Sequence, residues 1–323
     1  MPTCLQRPES VCTPDPGTLM GQPRIKGGYT LQDIQYSAPQ SVEEAVSLLA
    51  AAGSQGRVLA GGTDLLVQLK NGARGIRHII DIKRVAGMET LQHTADGGMR
   101  IGAAVSCARI GEDPVVQSNY PGLREAAMLI GSDQIQNRAT LAGNLCNSSP
   151  AADTVPALAA LNTSCEIQGP EGSRIMALAD FARGPGQNQL GEGEILIALE
   201  VPGRTGHFAD AYQRFIPRNE MDIAVVGVGV ALALNSAGEC TQARLALGAV
   251  GPRVIEATEA ATHLLGSTLD EETLEQAAEM ARAIAQPISD KRGPAEYRRS
   301  LVGTLTRRVV RTAAERARNH EGS

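Results

Sequence analysis

Two short glycine-bearing stretches, both read as loops and about 80 positions apart, constrain this chain more than any other feature. The first, Ala60-Gly61-Gly62-Thr63-Asp64, follows the apolar pair Val58-Leu59 and precedes Leu65-Leu66-Val67. The second, Thr140-Leu141-Ala142-Gly143-Asn144, is followed by Ser149-Pro150-Ala151-Ala152-Asp153. Glycine lacks the Cβ that keeps a ligand away from the backbone, and it accepts φ > 0. Successive N–H groups turned inward then form an anion-binding concavity. One such segment is weak evidence. Two of them with a trailing carboxylate predict a diphosphate held from both sides.

A length of 323 residues suits two domains better than one. Only 2% of residues are aromatic and Trp is absent, so the cores must be built from Leu, Ile, Val and Ala. The net charge is −5 and basic residues are scattered, which argues against nucleic acid as the main partner. The longest apolar stretch, Ile223 to Leu234, is too short for a membrane span. The first residues carry no apolar signal-type region, so a cytoplasmic location is expected. Six cysteines form no C-x-x-C pair and the five histidines are dispersed, so no familiar zinc or iron–sulfur spacing is present.

Residues 1 to about 28 are rich in Pro and Gly and read as a flexible arm, with partner binding as the other reading. Ser41 followed by Glu44 opens a helix with an apolar stripe at Ala45, Leu48 and Leu49. Arg57 to Ala60 reads as a strand running into the first glycine segment, and Leu65 to Lys70 as a short helix ended by Asn71-Gly72. Further strands are expected at Ile79–Ile82, Met99–Ala104 and Glu194–Val201, with helices at Pro121–Ile130 and from Asp153 to Leu161. This is an α+β pattern over residues 29–203. Pro202 to Gly206 reads as a linker. Beyond it, over 207–318, three long strands (Ala209–Phe215, Ile223–Leu234, Gln242–Val250) precede helices at Pro252–Leu265, Leu269–Ala285 and Pro294–Arg318. A three-stranded antiparallel sheet backed by helices is expected there.

Neither glycine segment contains the lysine of a P-loop. The Rossmann fingerprint is also missing, because Gly227-Val228-Gly229 runs on into Val230-Ala231-Leu232 inside a strand. Two neutral segments offering backbone N–H groups, the Thr63 and Thr140 hydroxyls and Asn144 suit a flavin dinucleotide lying between two subdomains.

From about Tyr36 to Arg311 the chain resembles the FAD-binding subunit of the molybdenum hydroxylases, the group that includes carbon monoxide dehydrogenase, 4-hydroxybenzoyl-CoA reductase and xanthine dehydrogenase. The resemblance rests on Val58 to Leu66, Arg100-Ile101-Gly102-Ala103, Ala139 to Leu145 and Ser149 to Asp153. It continues through Glu194-Ile195-Leu196, Tyr212 to Phe215, Pro287 to Asp290 and Glu296 to Arg299, in the same order and spacing. It implies an FAD-binding fold of the vanillyl-alcohol-oxidase type with two subdomains, followed by the smaller domain. It also implies that Val58, Leu59, Ala60, Gly61, Gly62, Thr63, Asp64 and Leu65, with Thr140, Ala142, Gly143 and Asn144, cradle the diphosphate. By the same resemblance Asp153 binds the polar side or ribityl chain of the flavin, and Cys146 and Asn147 line the pocket. Ile130 lies against the cofactor, Leu196 near the adenine or the flavin rings, and Arg214 near the isoalloxazine. Ala142 stands where the family usually has glycine, which is tolerable if φ is negative there. No cysteine-rich insertion follows Asn144, so the extra iron–sulfur cluster of the benzoyl-CoA reductase branch is not expected.

Plainer readings stand beside these. Asp64 and Asp153 could each be a helix N-cap, Cys146 a small buried hydrophobe, and Arg214 a surface residue. Tyr212 and Tyr297 read as packing residues, and Asp290 and Arg299 as holding the second domain together. The resemblance implies an electron-transfer subunit that partners a large molybdenum-cofactor subunit and a small [2Fe-2S] subunit, as a dimer of heterotrimers. The alternatives are a stand-alone FAD-dependent oxidoreductase of the same fold and an assembly subunit that has lost FAD.

Overall fold

The computed structural model describes residues 34–319 apart from 73, 74, 205 and 220, so the expected N-terminal arm lies outside the described residues. The chain opens with β1 (Gln35–Ser37), α1 (Val42–Ala52), β2 (Gly56–Leu59), α2 (Leu65–Lys70) and β3 (His78–Asp81). The three strands form a parallel sheet in the order β1-β3-β2, with Leu59 paired to Asp81 at the carboxyl end. Ser41 caps α1 by accepting the Glu44 N–H at 3.1 Å. Glu44 reaches back to the Gln40 N–H at 2.8 Å, so α1 is capped reciprocally, one residue outside the usual box.

A second subdomain follows. It holds β4 (Leu91–His93), β5 (Met99–Gly102), four short helices α3 to α6 within residues 107–136, α7 (Leu141–Cys146) and α8 (Thr154–Ala160). Then come β6 (Ser164–Gly169), β7 (Gly172–Ala177), the small pair β8 (Ala182–Gly184) and β9 (Gln187–Asn188), and β10 (Ile195–Val201). Strands β4-β5-β10-β6-β7 make one antiparallel sheet. Along β6 burial alternates residue by residue, with Cys165 and Ile167 turned to the core, as a half-buried strand requires.

The remaining residues form β11 (His207–Phe215), β12 (Val226–Leu234), β13 (Cys240–Gly248), β14 (Ile255–Glu256), α9 (Thr258–Leu264), α10 (Glu271–Ile284) and α11 (Ala295–Asn319). The sheet has four strands rather than the expected three. The segment after Pro252 returns along the β13 edge as β14, held further by the Ala257 N–H on the Leu245 carbonyl, before the helix begins at Thr258. All nine residues of β12 are buried, because both faces of this strand are covered. Val228, Val230 and Leu232 join the α10–α11 core, while Ala231 belongs to the core of the preceding domain. Gly227-Val228-Gly229 is thereby explained: a Cβ on Gly229 would lie 2.6 Å from the Pro156 carbonyl of α8. Gly229 thus serves helix-on-sheet packing, and a Cβ on Gly227 would meet the Tyr212 hydroxyl at 2.7 Å; neither glycine lines the cleft described below.

The seam between the domains is polar as well as apolar. Asp210 on β11 accepts the Gly122 and Leu123 N–H groups of α5 (Pro121–Met128) at 3.1 and 2.9 Å. Arg204 of the linker lies over the Tyr120 ring, 3.0 Å from its centroid, and 4.4 Å from that of Phe208. In the second domain Arg298 pairs with Asp290, at 2.5 Å, with its guanidinium also on the Val225 carbonyl at 3.1 Å. Arg299 instead bonds the Ala285 carbonyl and Glu296. Position on α11 decides this: Arg298 points to the sheet and is buried, and its neighbour does not.

Candidate functional site

A cleft of about 1060 Å³ runs between the parallel sheet and the antiparallel subdomain. Its first boundary is the segment that leaves the carboxyl end of β2, the place where open α/β sheets bind ligands. Gly62 there has φ +78°, in the region that favours glycine. Gly61 has a different reason: a Cβ on it would overlap the Arg138 carbonyl and crowd the Ala139 backbone. The first glycine thus lets the two segments touch, and the second lets the chain turn.

The second segment is not a loop. Thr140 is the N-cap of α7, its hydroxyl oxygen accepting the Gly143 N–H at 2.9 Å, and Ala142, Gly143 and Asn144 are helical. Gly143 does not have positive φ, and Ala142 fits because a helical φ suits alanine. The expectation of two alike glycine loops is corrected accordingly. A threonine cap three residues before a glycine was readable as a helix start, but the diphosphate-loop pattern obscured it.

Val58, the run Ala60 to Leu65, Ile130, Thr140, Ala142 to Asn144, Cys146, Asn147 and Leu196 all line the cleft. Leu59, Asp153 and Arg214 do not. Leu59 sits beneath Gly62. Asp153 occupies the N-cap position of α8 but its carboxylate does not cap that helix. It accepts instead from Arg214 at 2.7 Å and from the Tyr212 hydroxyl at 3.1 Å. Burial raises the Asp153 carboxyl above its ordinary range, against the pull of Arg214 and the two hydrogen bonds. Arg214 is not a surface residue, since its side chain is 5% exposed. Tyr212 is a buried packing residue and also Asp153's partner, whereas Tyr297 is 43% exposed and meets Phe215 edge-on. Asp64 stands at the N-cap of α2 without capping it, and accepts from the Gln68 side chain at 2.6 Å.

One wall was missed from sequence. Gly186, Asn188 and the run from Leu190 to Ile195 also line the cleft, with Gly193 packed against Ala50 at the end of α1. Asn188 donates to the Cys146 carbonyl at 3.0 Å and accepts the Leu190 N–H at 3.1 Å, tying this wall to α7. The alternation Gly191-Glu192-Gly193-Glu194 carried a signal, but it reads as an ordinary solvated turn.

The residues present fit an extended dinucleotide. The N–H groups of Gly61, Gly62, Thr63 and Asp64 have no acceptor among the described residues. Gly61 to Thr63 are half-buried and Asp64 is exposed, so these N–H groups face the open cleft, and four together at its wall can receive phosphate oxygens. Asn144 accepts from the Thr154 hydroxyl at 2.7 Å and from its N–H at 3.3 Å, which leaves the amide NH₂ to donate. Val58, Ile82, Ala103, Ile130, Leu190 and Leu196 supply apolar surface for rings. Cys146 offers no nucleophile, because burial pushes its thiol up to about 12.

The comparisons with known proteins agree with this geometry. Residues 32–204 match the FAD binding domain in molybdopterin dehydrogenase, and residues 211–313 match the CO dehydrogenase flavoprotein C-terminal domain. The chain is 34% identical to the carbon monoxide dehydrogenase medium chain of Afipia carboxidovorans, over 88% of this chain and 98% of that one. It is 33% identical to the xanthine dehydrogenase FAD-binding subunit of Escherichia coli O157:H7, over 87% of this chain and 96% of that one. Among solved structures, a chain of the Cu,Mo-CO dehydrogenase in its cyanide-inactivated form superposes with a TM-score of 0.83 at 31% identity, covering 88% of this chain and 98% of that chain. Quinoline 2-oxidoreductase from Pseudomonas putida 86 gives a TM-score of 0.80 at 30% identity, with the same coverage. The chain therefore belongs to the family of FAD-binding medium subunits of molybdopterin-dependent dehydrogenases, and it is an oxidoreductase subunit.

Proposed function

We propose that this chain is the electron-transfer subunit of a multi-subunit molybdenum-dependent hydroxylase. It takes electrons from [2Fe-2S] clusters on a small partner and passes them to an external acceptor, while a large partner carries the molybdenum cofactor and the organic substrate. The bound FAD supplies the redox chemistry, and the protein supplies position and electrostatics. The observation that carries this reading is the cleft bounded by four unpartnered backbone N–H groups and the α7 N-terminus, in a chain that matches such subunits over nearly its whole described length.

In this reading Gly61 to Asp64 receive the diphosphate through their N–H groups, and Thr140 and Asn144 donate from the other segment. Val58, Leu65, Ile130, Ala142, Cys146, Asn147 and Leu196 pack against the rings and the ribityl chain. Leu59 supports the turn at Gly62, and Asp153 with Arg214 holds the start of α8 beside the isoalloxazine end. Residues 29–203 form the FAD-binding domain, of the vanillyl-alcohol-oxidase type, and residues 207–318 the flavoprotein C-terminal domain. The assembly is a cytoplasmic dimer of heterotrimers. Among the described residues no helix is long and apolar enough to cross a membrane.

The test is stopped-flow absorbance of the flavin in the assembled complex and in this subunit alone. Substrate should bleach the flavin only when both partners are present, and acid denaturation should release FAD. Bleaching of the isolated subunit by the organic substrate would favour a stand-alone oxidoreductase, and release of FMN would reject the cofactor assignment.

A further inference from the structure

Lys83 has no assigned task, and it does not line the cleft. It lies in a single 3₁₀ turn, Ile82–Arg84, immediately after β3. Its ammonium donates to Asp81 Oδ1 at 2.6 Å and to the Ala60 carbonyl at 3.1 Å. Asp81 is itself saturated. Its Oδ1 also accepts the Lys83 backbone N–H at 3.1 Å, and its Oδ2 accepts the Tyr36 hydroxyl at 2.7 Å. Burial works against the ionised Asp81, but the donors outweigh it and hold the carboxyl below its ordinary range. The pairing of Leu59 with Asp81 brings the end of β2 beside this anchor. A charged donor held by a buried carboxylate therefore grips the first peptide of the glycine segment from behind.

A peptide unit is planar and trans, so its C=O and N–H point in opposite directions. Holding the Ala60 oxygen on the Lys83 side turns the Gly61 N–H the other way, and that N–H has no acceptor among the described residues. We propose that Lys83, steadied by Asp81 and Tyr36, is a positioning residue that locks the Ala60–Gly61 peptide with its N–H toward the diphosphate of the bound dinucleotide. This rests on the assignment of the cleft to FAD. Lys83 acts from outside the cleft, by orientation rather than by contact.

The experiment titrates the FAD-free full chain with FAD, for wild type, K83M, K83R and Y36F, and records ³¹P spectra of the saturated proteins. Losing a charge-assisted hydrogen bond of this kind predicts about tenfold weaker FAD binding in K83M. The diphosphate ³¹P signals of K83M should shift, and K83R should restore most of both effects. Y36F, altered at an exposed side chain, should weaken binding about two- to threefold by loosening Asp81. The K83M deficit should persist at 0.5 M salt, since it is geometric. Binding of K83M within twofold of wild type would overturn the proposal. So would convergence of the two proteins at high salt, which would mean simple charge attraction. Lost affinity with unchanged ³¹P signals and an equal loss of apo-protein stability would reduce Lys83 to a structural role and overturn it too. Failure of wild type itself to bind FAD would refute the cleft assignment, and this proposal with it.

Discussion

The first glycine segment ends a strand and the second begins a helix, and their glycines answer to different demands. Gly61 and Gly62 stand where the chain must touch another backbone and then turn at positive φ. Gly143 stands in the first turn of α7 with ordinary helical geometry, next to the cap that Thr140 provides. One segment presents its N–H groups because it is turned open, the other because helix starts leave N–H groups unused. The same spacing of small residues therefore arises from two physical causes, and substitutions can separate them.

The largest effect is expected at Gly61. Alanine there would press a Cβ onto the Arg138 carbonyl, and backbone cannot yield as a side chain can. Overpacking of this kind predicts a loss of about 3 kcal/mol in the stability of the FAD-free chain. Urea denaturation measures it, and an unchanged midpoint would remove the close approach of the two segments. Gly62→Ala should be milder, at about 1–2 kcal/mol for a left-handed backbone, because the atom it meets is the mobile end of Leu59, 2.8 Å away. Asparagine at 62 should recover part of that loss, since Asn visits this region more readily. Equal costs for Ala and Asn would show that contact, not φ, sets the penalty.

On the helical side the effects shrink. Thr140→Ala removes the α7 cap and should cost about 1 kcal/mol, with Thr140→Ser restoring it. If Ser and Ala behave alike in thermal or urea unfolding, the cap reading fails. Gly143→Ala should be nearly neutral in the FAD-free chain. Alanine gains about 1 kcal/mol of helix propensity, which offsets the disturbance of Thr140 Oγ1, 2.9 Å from the new Cβ. A cost as large as that of Gly61→Ala would erase the distinction between the segments. The same G143A protein should still lose FAD affinity if the ligand approaches α7 closely, which a parallel titration reads.

Local signals carried much of the architecture. Ser41 with Glu44 marked the start of α1, and Leu65–Lys70 is helical as the residues before Asn71-Gly72 suggested. The long strands β11 to β13 were visible from sustained apolar runs, within a few residues at each end. Strand β14 was not, because a two-residue edge strand has no pattern of its own and exists only where β13 offers an unpaired edge. The start of α9 was misplaced for the same reason. Arg298 and Arg299 are adjacent arginines on one helix, and only the packed orientation of α11 says which of them reaches Asp290.

At the cleft the division is similar. Short-range chemistry in the sequence led to the expectation that two glycine segments bind something anionic, and residue types and order showed that no P-loop lysine is present and that the chain resembles a flavin subunit. These follow from residue type and spacing, which act over a few bonds. Tertiary structure alone decided that Gly61 is needed for contact with Arg138, that Gly229 seats α8, and that the Gly186 and Leu190–Ile195 wall closes the site. It also decided that Asp153 turns to Arg214 instead of capping α8. Each of these depends on which distant backbone or charge comes within a few ångströms, and no local pattern encodes that. Long-range contacts are settled by how the two sheets and α8 pack, which is a property of the whole fold.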